Sequence, residues 1–173
     1  MKIRNATEQE FTIVRSFYHL LTDAMAGATY SPGWKKGIYP SDEDLRDALR
    51  EQTLFVGTED EEIVAAMVMN HACVEDYAMA NWQADASPEE VTVLHLLGIH
   101  PSHRGKGLAK ELVTWAITDA KNRGQKAVRL DVLTGNLPAE RLYPSLGFRW
   151  IGSFDMYYPD TGRTKYELYE YVL

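Results

Sequence analysis

Cysteine is almost missing from this chain: of 173 residues, Cys73 alone carries a thiol. One cysteine excludes an internal disulfide and any multi-cysteine metal site, and with no base identifiable beside it Cys73 reads as a buried thiol rather than an acyl carrier. Long apolar runs are missing too. The least polar stretch, Ile63 to Val74, is too short to span a bilayer, and the opening "MKIRNATEQE" holds no apolar signal core. These absences lead to the expectation of a cytoplasmic protein with no membrane partner. Cations are in deficit, with 18 Lys and Arg against 25 Asp and Glu and a net charge of −7. A reader of phosphate backbones needs the opposite balance, so nucleic acid is not expected as a partner and a small-molecule or cationic one is. There are no repeats, no low-complexity tract and no internal boundary.

What is present is enough apolar residue, 45%, to build one core, which predicts a single domain over residues 1–173. "KIRNAT" reads as a strand. Thr7 with Glu10 forms a capping-box pattern ahead of a helix whose apolar positions are Phe11, Val14, Phe17 and Leu21. Ser41 opens a second helix, "DEDLRDALRE". "TLFVGT" and "EIVAAMVMN" read as a hairpin, and "VTVLHLLGI" as a strand stopped by Pro101. From Gly107 to Arg123 the spacing of Leu108, Leu112, Ala116 and Ala120 predicts a helix closed by Gly124. A last unit runs strand "AVRLDV", short helix after Asn136, and two strands joined by "PDTG".

Against the acidic background, "HPSHRGKGLAKEL" is a local basic island. Strand, glycine-rich turn, helix is an arrangement in which unsatisfied amides at a helix start can cradle phosphate. Gly105 and Gly107 let a ligand approach the backbone, Arg104 and Lys106 add charge, and no acid falls between Val91 and Lys110. The Walker and dinucleotide patterns are not met, because Gly105-x-Gly107 is followed at the sixth position by Lys110.

Arg104, Gly107 and Ala109 instead fill [RQ]-x-x-G-x-[GA], and "DVLTGNLPAERLYPSLGF" supplies N-x-x-A-x-x-L-Y-x-x-x-G-F through Asn136, Ala139, Leu142, Tyr143, Gly147 and Phe148. With the element order, these residues resemble the GNAT acetyltransferase superfamily over nearly the whole chain. The resemblance implies an α+β fold, a mixed central sheet of about seven strands flanked by about four helices and splayed between strands 4 and 5. It implies acetyl-CoA as co-substrate and a small-molecule or peptide amine as acceptor. The turn from Arg104 through Gly105, Lys106, Gly107, Leu108 and Ala109 would hold the pyrophosphate, while Leu97, Ile99 and Asn136 would hold the pantetheine arm. Homodimers are common in the family. A non-catalytic acetyl-CoA sensor of the same fold is the competing reading.

Two residues carry the expected chemistry. Tyr143 would protonate the departing thiolate, against a reading as a core tyrosine that Pro144 beside it sharpens. His95 is similar to a histidine in the corresponding strand of arylalkylamine acetyltransferases, where it would deprotonate an amine of pKa about 10; on a face shared with Val93, Leu97 and Ile99 it also reads as a satisfied core residue. His100 and His103 form H-x-x-H, but Pro101 breaks helical pairing and no metal is expected. Asp131 reads as a partner for Arg129 or as a strand end. Aromatic residues Tyr30, Trp34, Tyr39, Tyr77 and Trp82 are candidates for the acceptor pocket. Glu75, Asp76, Asp85, Glu89 and Glu90 are expected to make its surroundings acidic, favouring a cationic amine.

Overall fold

The computed structural model describes all residues from Met1 to Leu173. Seven strands form one sheet: β1 (Lys2–Asn5), β2 (Leu54–Glu59), β3 (Glu62–Asn70), β4 (Val91–Ile99), β5 (Ala127–Leu133), β6 (Arg149–Tyr158) and β7 (Gly162–Val172). Their spatial order is β1-β2-β3-β4-β5-β7-β6. β4 and β5 are parallel, and every other neighbouring pair is antiparallel. Four helices flank the sheet: α1 (Phe11–Met25), α2 (Asp42–Arg50), α3 (Leu108–Asn122) and α4 (Leu137–Ser145).

Helix starts follow their local chemistry. The Thr7–Glu10 capping box closes a short 3-10 turn that runs straight into α1, and the Glu10 carboxylate also takes a two-pronged bond from Arg4, at 2.9 and 2.7 Å. Ser41 caps α2 through the Asp44 amide at 3.1 Å. The apolar stripes then choose the faces. Val14, Tyr18 and Leu21 of α1 and Leu45 of α2 pack with Val56, Ala66 and Val68 on one side of the sheet. Leu112, Val113 and Ala116 of α3 and Tyr143 of α4 pack with Met67, Met69 and Leu130 on the other. Each large aliphatic side chain so buried contributes about 1.5–3 kcal/mol.

The site depends on one irregular strand. β4 pairs with β5 only at Val91↔Ala127, Thr92↔Val128 and Val93↔Arg129, after which the two part. On its other edge β4 pairs Val68 with His95 and Ala66 with Gly98, so Leu96 and Leu97 stand opposite Met67 alone. This is a β-bulge, and Leu96 takes a φ of +53°, a strained value for a branched side chain. The Tyr18 hydroxyl, carried by α1, donates to the Leu96 carbonyl at 2.9 Å and holds the kink.

The bulge also corrects the expected face of β4. Strict alternation would set His95 with Leu97 and Ile99. Instead Leu96 joins the cluster packed under α1, while Leu97 and Ile99 pack against the α3 side. One extra residue reverses every side chain after it.

Candidate active site

Where β4 and β5 part, a cavity of about 690 Å³ opens. It runs from the α1 C-terminal end and the 28–39 connection, along the free edge of β4, to the basic turn, the end of β5, α4 and the β6–β7 turn. Of the residues expected to hold a cofactor, Leu97, Ile99, Arg104, Gly105, Gly107, Leu108, Ala109 and Asn136 line it. Lys106 does not; it is exposed at the crest of the turn.

The turn combines free donors with positive charge. Gly105 and Gly107 have φ of +78° and +84°, values that favour glycine, and Gly107 is the residue from which α3 starts. The first bond of α3 runs from the Glu111 amide to the Gly107 carbonyl at 3.1 Å, and no amide from Gly105 to Lys110 donates within the turn. These donors therefore face outward at the positive end of the helix dipole, beside Arg104 and Lys106. A Cβ built on Gly105 or Gly107 meets nothing within 4 Å, so no protein atom crowds the turn at these two positions. The residues present fit acetyl-CoA on this count. Opposite, Asn136 begins α4 with no side-chain hydrogen bond of its own. The β4 edge beyond Val93 has no strand partner.

Tyr143 and His95 both reach the cavity. Tyr143 is 6% exposed, its ring against Phe148 at 5.5 Å and Tyr169 at 6.1 Å. Its hydroxyl makes no hydrogen bond and yet is not among the sealed, unpartnered atoms, so its small exposed area includes the oxygen. Burial, then the Asp131 charge, pushes its pKa up, and the phenol stays protonated across neutral pH. Pro144 does not displace it. The proline falls in the last turn of α4, and the Tyr143 carbonyl accepts from the Leu146 and Phe148 amides at 3.0 and 3.1 Å.

His95 is half-buried. Its Nε2 lies 3.1 Å from Asn70 Oδ1 and 3.0 Å from the Ala72 carbonyl. The Ala72 amide donates to the same Asn70 oxygen at 3.0 Å, which fixes the orientation of the carboxamide. Two acceptors at Nε2 require a proton there, so the neutral ring carries its lone pair on Nδ1. Nδ1 has no partner and is not sealed. Burial lowers the His95 pKa, against an opposing pull from Asp131. This places a neutral imidazole with an open lone pair on the cavity wall.

Of the aromatic residues considered for an acceptor pocket, Tyr30, Trp34 and Tyr39 line the cavity. Tyr77 and Trp82 do not. Tyr77 is 4% exposed, stacked on Trp82 at 5.3 Å, and donates through its hydroxyl to Asp131 at 2.8 Å from behind. Trp82 is held by Arg129, whose guanidinium lies 4.4 Å from its ring and pairs with the buried Glu170 at 2.9 Å. That pairing overturns the Arg129–Asp131 expectation. The acids at 75, 76, 85, 89 and 90 also lie off the cavity; Glu90 pairs with Lys126 at 2.9 Å, and Asp76 accepts from the Tyr157 amide at 3.2 Å. Cys73, expected buried, is exposed just past the end of β3. His100 and His103 are bridged by Ser102, at 2.8 and 2.9 Å, and no group of three or more His, Cys, Asp or Glu side chains is gathered for a metal ion.

The cavity takes its negative charge from residues not anticipated there. Asp131 lines it, accepting from both Tyr77 and Tyr158 at 2.8 Å, and so does Asp160 of the β6–β7 turn, with Tyr158 and Tyr166. Alternation along β5 sets Asp131 on the face of Arg129, away from Leu130 and Val132, so the sequence pattern held no cue that this acid would line a cavity.

The comparisons with known proteins place the chain in a family. Residues 15–148 match the model of the acetyltransferase (GNAT) family, and the chain belongs to that family. It is 30% identical over 147 residues, 84% of this chain and 74% of the other, to a streptothricin acetyltransferase of Escherichia coli. A shorter stretch, 71 residues, is 35% identical to a [ribosomal protein bS18]-alanine N-acetyltransferase of Haemophilus ducreyi, covering 41% of this chain and 48% of that one. Among solved structures, a GNAT-family acetyltransferase of Streptococcus agalactiae matches with a TM-score of 0.82 at 21% identity over 99% of this chain and 95% of that one. The yncA protein of Salmonella typhimurium, solved with its cofactor acetyl-CoA, matches with a TM-score of 0.71 at 17% identity over 100% of this chain and 94% of that one. These two likenesses speak for the fold. No helix is long and apolar enough to cross a membrane.

Proposed function

We propose that the chain transfers an acetyl group from acetyl-CoA to the primary amine of a small, cationic molecule by direct attack, with no covalent intermediate on the protein. One observation supports this reading: Gly105, Gly107, Leu108, Ala109 and Lys110, whose amides have no acceptor within the turn, line the same cavity as Tyr143 and His95. Acetyl-CoA bound there supplies an activated thioester. The turn amides with Arg104 and Lys106 hold the diphosphate, at roughly 1.5–3 kcal/mol for each bond to a charged oxygen. The β4 edge at Leu97 and Ile99 offers backbone groups to the arm, and Asn136 offers its carboxamide from the other wall.

An alkylamine enters as ammonium and cannot attack until it loses a proton. Asp131 attracts the cation, and His95 takes the proton on Nδ1 while Nε2–H stays bonded to Asn70 and Ala72. Tyr143 donates its hydroxyl proton toward the departing sulfur. Its raised pKa makes it a reluctant acid, but the burial that raises the phenol raises a thiolate held beside it as well, so the transfer stays nearly matched.

The test is release of free CoA in the presence of amines, amino acids, polyamines, peptides and streptothricin, the last named for the 30%-identical relative. Amine-dependent release with an acetylated product supports the reading. Tight acetyl-CoA binding with no release for any of these classes favours the non-catalytic sensor.

A further inference from the structure

The acceptor half of the cavity holds two carboxylates, which is one more than a single ammonium can neutralise. Asp131 is the engaged one, with Tyr77 and Tyr158 both donating to Oδ2 at 2.8 Å. Asp160 is different. It lines the cavity and is only 4% exposed; its Oδ1 is sealed with no hydrogen-bond partner, and Oδ2, which accepts no side-chain bond and is not sealed, is the oxygen a ligand in the cavity can reach. The two feel each other's charge, since Asp131 disfavours ionisation of Asp160, yet they share no bond. Between them stand Tyr158 and Tyr166, with ring centroids 4.9 Å apart; the Tyr158 hydroxyl serves Asp131, and the Tyr166 hydroxyl pairs with Thr161, next to Asp160, at 2.7 Å. Tyr39 closes the chamber at 6.4 Å from Tyr158.

An unpartnered buried carboxylate oxygen is costly, and such a group either takes a proton or waits for a cation. Burial raises the Asp160 pKa, and the amides of Asp160 and Thr161 and the exposed Lys35 only partly oppose it. A second positive charge on the ligand would remove the penalty, and the tyrosine faces beside it suit a cation as well.

We propose that the acceptor is a linear dication: a primary amine, held by Asp131 beside His95, joined by a short apolar spacer to a second cationic group held by Asp160. This rests on the reading of the cavity as the acyl-transfer site. A mono-ammonium compound leaves Asp160 unpaired. An acceptor with a carboxylate in place of the second cation meets repulsion.

The probes are linear α,ω-diamines of increasing length, each compared with the monoamine, amino alcohol and amino acid of equal length. Binding is measured by calorimetry, and acetylation by product mass in the presence of acetyl-CoA. At one length the diamine should bind roughly ten- to a hundredfold more tightly than its monoamine, the worth of one bond between charged groups. Asp160→Asn should bring the diamine down to the monoamine's level. Equal binding of monoamine and diamine by the wild-type protein at every length would overturn the proposal, as would an Asp160→Asn protein that keeps the preference. The wild-type comparison stands even where the variant folds poorly. The two readings fail separately: a diamine preference in binding without acetyl transfer refutes acyl transfer and leaves the two-cation site, whereas equal transfer to monoamine and diamine refutes the two-cation site and leaves acyl transfer.

Discussion

His95 and Asn70 share a single proton bridge: Nε2 of the ring stands 3.1 Å from an Asn70 oxygen that the Ala72 amide already orients from 3.0 Å. The pairing decides which nitrogen of His95 is left to act as a base, and it comes from a residue at the end of the neighbouring strand β3. Replacing Asn70 by Asp puts a negative charge at Nε2, favours the imidazolium and raises the His95 pKa. The rate rises as the ring loses its proton, so the rising limb of the pH–rate profile should start below the ordinary histidine value of 6.5 in the wild type, where burial lowers the pKa, and move up by about one pH unit in Asn70→Asp. Asn70→Ala should lower kcat several-fold with little change in KM for acetyl-CoA. A limb that stays in place when Asn70 becomes Asp assigns the base to another group.

Tyr143→Phe keeps the ring against Phe148 and Tyr169 and removes one proton. Turnover should fall on the order of a hundredfold, as for the loss of one general acid, with acetyl-CoA affinity nearly unchanged. Paired titrations and initial rates on the two proteins check this. Unchanged turnover would return Tyr143 to a packing role.

The Arg4–Glu10 pair ties β1 to the start of α1. The bond from Arg4 holds the Glu10 pKa down to about 2, with the Thr7 amide helping. A depressed carboxylate pKa stabilises the fold at pH above the unfolded value of 4.5 and loses that contribution as pH falls toward about 2. Because the Arg4 side chain is 38% exposed, solvent screening cuts the contribution to about 0.5–1 kcal/mol. Glu10→Gln should lose this at pH 7 in urea melts, and the gap to the wild type should close as the pH approaches 2. A gap that persists there would place the stabilisation in packing instead of charge.

Local chemistry made much of this readable from sequence. The capping box at Thr7, the helix start at Ser41, the four-residue spacing of α3 and the glycine turn at 105–107 each depend on neighbours in the chain, and each stands where the residues put it. The acceptor half was not readable for the same reason. Tyr77 and Trp82 were drawn from a connection whose place is set by Glu170, far along the chain, which accepts from the Gln83 amide at 2.7 Å. Asp131 and Asp160 meet only because β7 returns beside β5 and carries the β6–β7 turn over the cavity. The face of Leu97 and Ile99 was lost at the Leu96 bulge, which Tyr18 of α1 stabilises from 78 residues away.

The central claim is that the free amides of the glycine turn hold acetyl-CoA in the cavity between β4 and β5. Thermal unfolding with and without acetyl-CoA, for the wild type and Gly107→Glu, tests it most directly. The readout is the ligand-induced shift, because a side chain at φ +84° lowers the unliganded stability on its own. At a hundred times its dissociation constant, acetyl-CoA should add roughly 2.7 kcal/mol to the wild type and raise Tm by several degrees. Gly107→Glu, which sets a bulky negative charge in the diphosphate position, should show no shift. A wild type unmoved by millimolar acetyl-CoA, or a variant shifted as much as the wild type, would contradict the account.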